Sequence, residues 1–189
     1  MQTFFKTYTE KLKDIIDNIN YDDIVKIINR LEQAVDENAK IYVIGNGGSS
    51  ATASHMANDL GIGLRRRNLL NMNIVSLGDN SAVTSAIAND IGFENIFYMQ
   101  LEGILKPEDV IIAISCSGNS PNISKAIDYA KKIGSCIIGI TGFDGGKLKA
   151  MSDINFHIEA PQGEYGLVED AHMILDHMIY SYYISLKKD

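Results

Sequence analysis

The chain has 189 residues, 46% of them hydrophobic and only three of them proline, which is the usual size of one well-buried domain. Its 17 basic and 24 acidic side chains give a net charge of −7, which disfavours a broad surface for nucleic acid or for anionic membranes. The charged N-terminus lacks the apolar core of a signal peptide, and no apolar run reaches the roughly 18 residues of a membrane span. We therefore expect a cytoplasmic protein with neither nucleic acid nor membrane as a partner.

Two amphipathic helices are predicted at the start of the chain, within residues 1–37. Apolar side chains recur at helical spacing from Phe5 to Ile16 and again from Ile24 to Val35. Short apolar runs rich in branched residues then predict five strands, at 41–44, 73–77, 110–114, 136–140 and, more weakly, 154–158. Further helical patterns lie at 50–60, 82–88 and 123–133, and one long helical pattern covers 165–186.

Strands that alternate with helices and are apolar on both faces indicate a parallel sheet covered on both sides. The predicted fold class is therefore α/β: a doubly wound five-stranded parallel sheet flanked by helices, with two N-terminal helices and a long C-terminal helix. Because no linker or repeat interrupts the pattern, we expect one domain over residues 1–189, in which the helical pair of 1–37 precedes an α/β core and C-terminal helix from 40 to 189.

The first strand leads into a glycine-rich turn, GNGGSS at residues 45–50. In doubly wound sheets, ligands bind outside the carboxyl ends of the strands, where such a turn lets backbone N–H groups approach an anion. The turn has serine where a dinucleotide fingerprint has its third glycine, and it lacks the lysine of a nucleotide-triphosphate loop. Taken alone, it is also typical of a tight strand-to-helix connection that binds nothing.

A second strand-to-helix turn, SCSGNS at residues 115–120, places three hydroxyl groups around a helix start. One of them, Ser120, is explained as the N-cap before Pro121. One cap needs one serine, not three. Hydroxyls and backbone N–H groups at a helix N-terminus suit a phosphate monoester, so the pair of turns predicts a phosphate site.

Titratable side chains follow the first turn and recur in the last helical pattern. His55 and Asp59 are four residues apart and share a helix face, whereas Glu169, His172 and His177 belong to the C-terminal helix. Each has an ordinary structural interpretation: a solvated carboxylate for Asp59, a packing histidine for His172, and a first-turn carboxylate for Glu169. Beside two phosphate-type turns, together they favour a catalytic site.

These stretches, with AIANDIGFENIF at 86–97 and ITGFDGGKL at 140–148, resemble the sugar isomerase (SIS) domain, and within it the phosphoheptose isomerase group. The resemblance runs from about Lys40 to the C-terminus, and SxSGNS at 115–120 is its specific marker. It implies a flavodoxin-like SIS fold and a cytoplasmic homotetramer. It also implies isomerisation of sedoheptulose 7-phosphate to a D-glycero heptose 7-phosphate, which supplies heptose for lipopolysaccharide or capsule.

By this resemblance, Ser49, Ser115, Ser117 and Ser120 bind the phosphate, and Asn46 and Asp90 face the sugar. With the neighbouring loop positions and Glu169 added, the candidate binding residues are Asn46, Gly47, Ser49, Asp90, Ser115, Cys116, Ser117, Ser120 and Glu169. Aldose–ketose isomerisation needs a base beside the carbonyl, an acid at the oxygens, and stabilisation of the enediolate. Asp59 and His177 are the candidate catalytic residues.

The resemblance also implies one divalent ion per site, zinc in the family. The matching positions are His55, Asp59, Glu169 and His177, with Asp59 where the family has a glutamate that is both ligand and base, and Glu169 where it has a glutamine. This set still suits zinc or another divalent ion. Glu169 and His177 are about 12 Å apart along a straight helix. Sharing one ion therefore requires near-full extension, a late helix start, or two subunits.

Two alternatives stay open at the level of sequence. One is a non-catalytic SIS-fold protein, either a sugar-phosphate sensor or a partner of the replication initiator. The departures at Asp59 and Glu169 favour it, whereas the retained histidines and the carboxylate at Asp59 count against it. The other is different chemistry on a phosphosugar, such as epimerisation or a lyase reaction, which the same base and acid can serve.

Overall fold

The computed structural model describes residues 1–187, so the last two residues of the predicted domain lie outside the described part. Its five strands are β1 (Lys40–Gly45), β2 (Asn73–Ser76), β3 (Val110–Ser115), β4 (Cys136–Gly142) and β5 (Ile154–Ile158). They form one parallel sheet in the order β2-β1-β3-β4-β5. The predicted doubly wound five-stranded sheet is confirmed, with the flavodoxin-like strand order.

The helices confirm the predicted N-terminal pair and the long C-terminal helix. They are α1 (Gln2–Asp17), α2 (Tyr21–Asp36), α3 (Gly48–Met56), α4 (Ser81–Asp90), α5 (Tyr98–Leu101), α6 (Pro121–Ile133), α7 (Gly146–Met151) and α8 (Tyr165–Ser185). The short α5 and α7, and a 3₁₀ turn at Phe93–Asn95, were not predicted, because so few residues cannot display a period. Within residues 1–187, no helix combines the length and the apolarity that crossing a bilayer requires.

The central strand β3 explains why the strand sequences are continuously apolar. Successive side chains of a strand point to opposite faces of the sheet. Ile112 and Ile114 pack into the core formed with α2, α3 and α8, while Ile111 and Ala113 pack into the core formed with α5, α6 and α7. All four side chains are at most 1% exposed, so both faces of the strand select apolar residues.

The helix after β1 is not regular throughout. The sequence predicts one helix over 50–60, but α3 ends at Met56 and a π-helical segment continues over Ala57–Gly63. Neighbouring side chains approach its glycines closely: a Cβ on Gly61 would lie 2.9 Å from Cγ2 of Ile74, and a Cβ on Gly63 would lie 3.0 Å from Cε2 of Tyr180. The segment carries Asp59, and π-helical turns occur frequently at functional sites.

The two predicted phosphate turns begin at the same edge of the sheet. Strands β1 and β3 are neighbours, and Gly45 at the end of β1 is in register with Ile114 near the end of β3. This is the point where the strand order reverses, which is where ligands bind in doubly wound sheets. The register of β1 and β3 is therefore enough to bring turns 45–50 and 115–120 to the same edge of the sheet.

His172 is a buried histidine in the middle of α8. Its side chain is inaccessible to solvent, and Nε2 lies 3.1 Å from the Thr141 carbonyl oxygen, to which it donates. Burial lowers the pKa of His172 to about 4, against the smaller opposing effect of this hydrogen bond. His172 is therefore the packing histidine that its apolar context suggests.

The lowered pKa of His172 predicts acid sensitivity. The unfolded chain binds the proton below its ordinary pKa of about 6.5, whereas the folded chain does so only near 4, so stability is lost as the pH falls through this window. The loss at pH 4 should reach about 3 kcal/mol. Urea unfolding between pH 7 and 4 should show a flatter decline for His172→Gln, which keeps a donor but does not titrate. Equal declines in both proteins would exclude His172 as the source.

Candidate active site

A cavity of about 210 Å³ opens between the two turns and the start of α8. Its lining residues are Asn46, Ser49, Ile114, Ser115, Cys116, Ser117, Ser120, Tyr165 and Glu169. Most of the candidate binding residues therefore lie together. Two do not line the cavity: Gly47, which is the exposed N-cap of α3, and Asp90, which is exposed at the end of α4 and accepts a hydrogen bond from Asn89.

The hydroxyl groups of the second turn keep their protons available for a ligand. Ser115 Oγ accepts from the Gly118 N–H at 3.1 Å, and Ser117 Oγ accepts from the Asn119 N–H at 3.3 Å. Ser120 occupies the N-cap of α6, but its side chain makes no capping hydrogen bond. Helix capping thus does not account for these serines. The N-terminus of the 13-residue α6 also points the positive end of its dipole toward this turn, where it favours an anion.

A reciprocal amide pair joins the first turn to the start of α6. Asn46 Nδ2 donates to Asn122 Oδ1 at 2.9 Å, and Asn122 Nδ2 donates to Asn46 Oδ1 at 2.7 Å. Asn122 is 1% exposed, and its Oδ1 also accepts from the Ile123 N–H. The predicted sugar-facing amide of Asn46 is thus already engaged with Asn122. The sequence patterns did not single out Asn122; its position in the first turn of α6 was the available signal.

Cys116 and Glu169 form one wall of the cavity. Burial, and after it the negative charge of Glu169, raises the pKa of the Cys116 thiol to about 11. The thiol is therefore protonated at neutral pH and is not a nucleophile. The Glu169 carboxylate lies over the first turn of α3, since a Cβ on Gly48 would be 2.5 Å from both of its oxygens.

A second group of polar side chains lies between α3, the π-helical segment and α8. It consists of His55, Asp59, Asp176 and His177, whose ligand-type atoms all lie within 4.8 Å of one another. Nε2 of His55 is 3.2 Å from Nε2 of His177, 3.4 Å from an Asp59 oxygen and 3.7 Å from an Asp176 oxygen. We call these four residues the His/Asp group. The structure thus brings together three of the predicted ligands and places Glu169 elsewhere, in the cavity wall.

Asp176 was not singled out from the sequence, although it precedes His177. Its side chain is inaccessible to solvent, and neither of its oxygens has a hydrogen-bond partner among residues 1–187. Burial, and after it the charge of Asp59, raises the pKa of Asp176 to about 7, while His177 acts in the opposite direction. Its contact with His55 depends on the packing of α8 against α3, which no local pattern encodes.

The His/Asp group fits a divalent cation. Two imidazole nitrogens and two carboxylates converge on one small volume, and nitrogen with oxygen is a ligand set that zinc and several other divalent ions accept. A buried carboxylate without a hydrogen-bond partner is energetically costly, and a bound cation removes that cost for Asp176.

Comparison with known proteins places these features in a family. The SIS domain family pattern matches residues 3–142. A phosphoheptose isomerase from Trichlorobacter lovleyi is 35% identical over 156 residues, which are 82% of this chain and 78% of that protein. This chain belongs to the SIS domain family, in its phosphoheptose isomerase group.

Two further relatives extend the likeness of this SIS-domain protein over nearly its whole length. A phosphoheptose isomerase from Helicobacter pylori is 32% identical over 179 residues, which cover 95% of this chain and 91% of that protein. The solved structure of a phosphoheptose isomerase from Neisseria gonorrhoeae is 28% identical, with a TM-score of 0.84, and the match covers 98% of this chain and 97% of that one. A metal in the His/Asp group is consistent with membership of this group.

Proposed function

We propose that this protein, a sugar-phosphate isomerase by family, acts in the cytoplasm on sedoheptulose 7-phosphate and forms a D-glycero heptose 7-phosphate for lipopolysaccharide or capsule. The main support is that helix α8 contributes to both halves of one site: Glu169 lines the hydroxyl-rich cavity, and His177 lies in the His/Asp group. One end of the site suits a phosphate, and the other suits acid–base chemistry. A single SIS domain over residues 1–189 carries this function.

The phosphate is anchored by Ser49, Ser115, Ser117 and Ser120. Their hydroxyls donate to phosphate oxygens, and the dipole of α6 adds electrostatic stabilisation. Glu169, in the same wall, accepts hydrogen bonds from the hydroxyls of the sugar next to the phosphate. Gly47 leaves the first turn open toward solvent, since no atom lies within 4 Å of a Cβ placed there.

The double substitution Ser117→Ala with Ser120→Ala tests this anchor. Each lost hydrogen bond to the charged phosphate should weaken binding by about 1.5–3 kcal/mol. The melting temperature should change little, because Ser120 makes no capping hydrogen bond and Ser117 Oγ accepts only a long, exposed one from the Asn119 N–H, at 3.3 Å. Calorimetric titration with sedoheptulose 7-phosphate measures the affinity, and Ser124→Ala, one turn further along α6, is the matched control. Unchanged affinity with a large loss of stability would make these serines structural.

Isomerisation transfers one proton between carbons and one between oxygens. Asp59, held beside His55, takes the proton from the carbon next to the carbonyl, because its carboxylate is only 15% exposed and so little hydrated. His177, on the facing helix, exchanges protons with the two substrate oxygens. A divalent ion held by His55, Asp59 and His177, zinc in the family, would supply positive charge that favours the developing oxyanion.

We also propose that the protein assembles as a homotetramer with its sites near subunit boundaries. Helix α1 buries none of its residues, and Phe4 and Phe5 at its start are 68% and 59% exposed. Tyr182 on α8 is 42% exposed, and His177 is exposed as well. A second subunit against these helices would cover apolar surface and close the site. Light scattering should give about four times the chain mass of 20.8 kDa; a monomeric mass would exclude the assembly.

The direct test is incubation of the purified protein with sedoheptulose 7-phosphate while aldose formation is followed. We expect conversion of the phosphorylated ketose and none of free sedoheptulose, which lacks the anchor. Exchange of the proton at the reacting carbon with deuterated water reports the base step separately. If no heptose or hexose phosphate shows conversion or exchange, the enzymatic proposal fails and a non-catalytic sugar-phosphate sensor becomes the better interpretation.

A further inference from the structure

The environment of Asp176 is unusual for a carboxylate. It is inaccessible to solvent on α8, and neither oxygen has a hydrogen-bond partner within residues 1–187. Buried carboxylates normally accept hydrogen bonds or bind a cation, because an uncompensated buried charge is costly. Nε2 of His55 lies 3.7 Å from an Asp176 oxygen, which is too long for a hydrogen bond. The side chain is aimed into the His/Asp group.

Glu169 is in a different situation. It is two turns earlier on α8, about 12 Å along the helix axis from His177. Because α8 begins at Tyr165 and runs unbroken through both residues, a late helix start does not shorten this separation. Its carboxylate lies over the N-terminal turn of α3 at Gly48, where the helix dipole stabilises a negative charge without a metal.

We propose that Asp176, and not Glu169, is the fourth ligand of the divalent ion in this protein, beside His55, Asp59 and His177. The inference rests on the metal of the proposed function and assigns its ligands. Two carboxylates and two neutral imidazoles balance a doubly charged ion, so the charge of the buried Asp176 is compensated and the site is neutral overall. Asp176 also supplies a second carboxylate. The other carboxylate of the site, Asp59, has a shorter side chain than the glutamate that the family has at this position.

Metal affinity separates the two assignments without any measurement of activity. Zinc binding to the purified, metal-stripped chain is titrated in competition with a chromophoric chelator. We expect about one ion per chain for the wild type, an affinity about ten- to a hundredfold lower for Asp176→Asn, and an affinity within a fewfold of wild type for Glu169→Gln. The metal-free Asp176→Asn protein should be as stable as the metal-free wild type or more so, because it lacks a buried unpartnered carboxylate. Circular dichroism then shows that weak binding is not unfolding.

A gain of signal gives a second, independent test. Cobalt bound to a thiolate shows a sulfur-to-metal charge-transfer absorption that oxygen and nitrogen ligands do not produce. Asp176→Cys should therefore acquire this band on addition of Co²⁺, whereas Glu169→Cys should not, with the wild-type chain and its two native cysteines as the blank.

The outcomes are distinct. Loss of affinity in Asp176→Asn, with the band in Asp176→Cys, supports the proposal. Loss of affinity in Glu169→Gln with none in Asp176→Asn overturns it and leaves the proposed isomerase intact. If the wild type binds no divalent ion while still isomerising the ketose phosphate, the ligand assignment and the metal both fail, but the reaction does not.

Discussion

Replacing Asp59 with Asn should lower turnover by about a hundred- to ten-thousandfold, which is the usual contribution of a positioned base. The amide has nearly the same shape but cannot take a proton. Affinity for the sugar phosphate should be largely kept, because the turns at 45–50 and 115–120, which we propose as the phosphate site, are separate from the His/Asp group. The measurement is proton exchange at the reacting carbon in deuterated water, alongside kcat, at saturating metal.

Asp79→Asn is the matched control, since Asp79 accepts a hydrogen bond from Ser54 on the same helix as His55 but is not part of the His/Asp group. A second arm, Asp59→Glu, restores the longer side chain of the family. It should impair an enzyme tuned to the shorter carboxylate, and it should create activity if the aspartate marks decay toward a sensor. Exchange that continues unchanged in Asp59→Asn would remove Asp59 as the base.

The second large effect concerns Gly118 in the phosphate turn. Its φ is +63°, and a Cβ there would overlap with the Gly145 carbonyl oxygen. Its own carbonyl accepts from the Leu148 N–H at 3.0 Å, which ties the turn to α7. Gly118→Ala combines left-handed strain with a backbone clash, so we expect it to lower the free energy of unfolding by about 2–5 kcal/mol and to abolish phosphate binding.

Gly103→Ala separates these two causes. Gly103 also has a positive φ, +75°, but no atom lies within 4 Å of a Cβ placed there. Gly103→Ala should therefore lower the free energy of unfolding only by the cost of the left-handed conformation, roughly 1–2 kcal/mol. The variant should bind sugar phosphate normally. Urea denaturation of both variants makes the comparison. Equal losses would mean that the contact between the turn and Gly145 does not constrain the site.

The sheet was predictable because each strand is buried on both faces. The run VIIAI at 110–114 has no polar residue because Ile111 and Ile112 face two different cores. The second turn is predicted to bind phosphate for a chemical reason: three hydroxyls exceed the need of one helix cap. Ser120 shows this directly, since it takes the N-cap position yet leaves its side chain uncommitted.

The rest of the site depends on contacts between distant segments. The glycines of the π-helical segment, Gly61 and Gly63, are closely approached by Ile74 and Tyr180, and a periodicity of 3.6 residues cannot contain that information. In the same way, Asp176 is an ordinary polar position on a helix until α8 packs against α3. The sequence therefore indicates which segments carry the chemistry, but not which carboxylate meets His55.

The length of α8 between its two functional positions has a consequence for substrate choice. Glu169 beside the phosphate cavity and His177 in the His/Asp group are eight residues apart, about 12 Å along the axis. The separation along this stretch of helix would set the length that an open-chain sugar needs in order to reach both ends of the site. A triose phosphate anchored at the serines leaves its carbonyl well short of Asp59, so we expect it to occupy the site without turnover and to inhibit competitively. The rise of this helix would then select the chain length of the sugar.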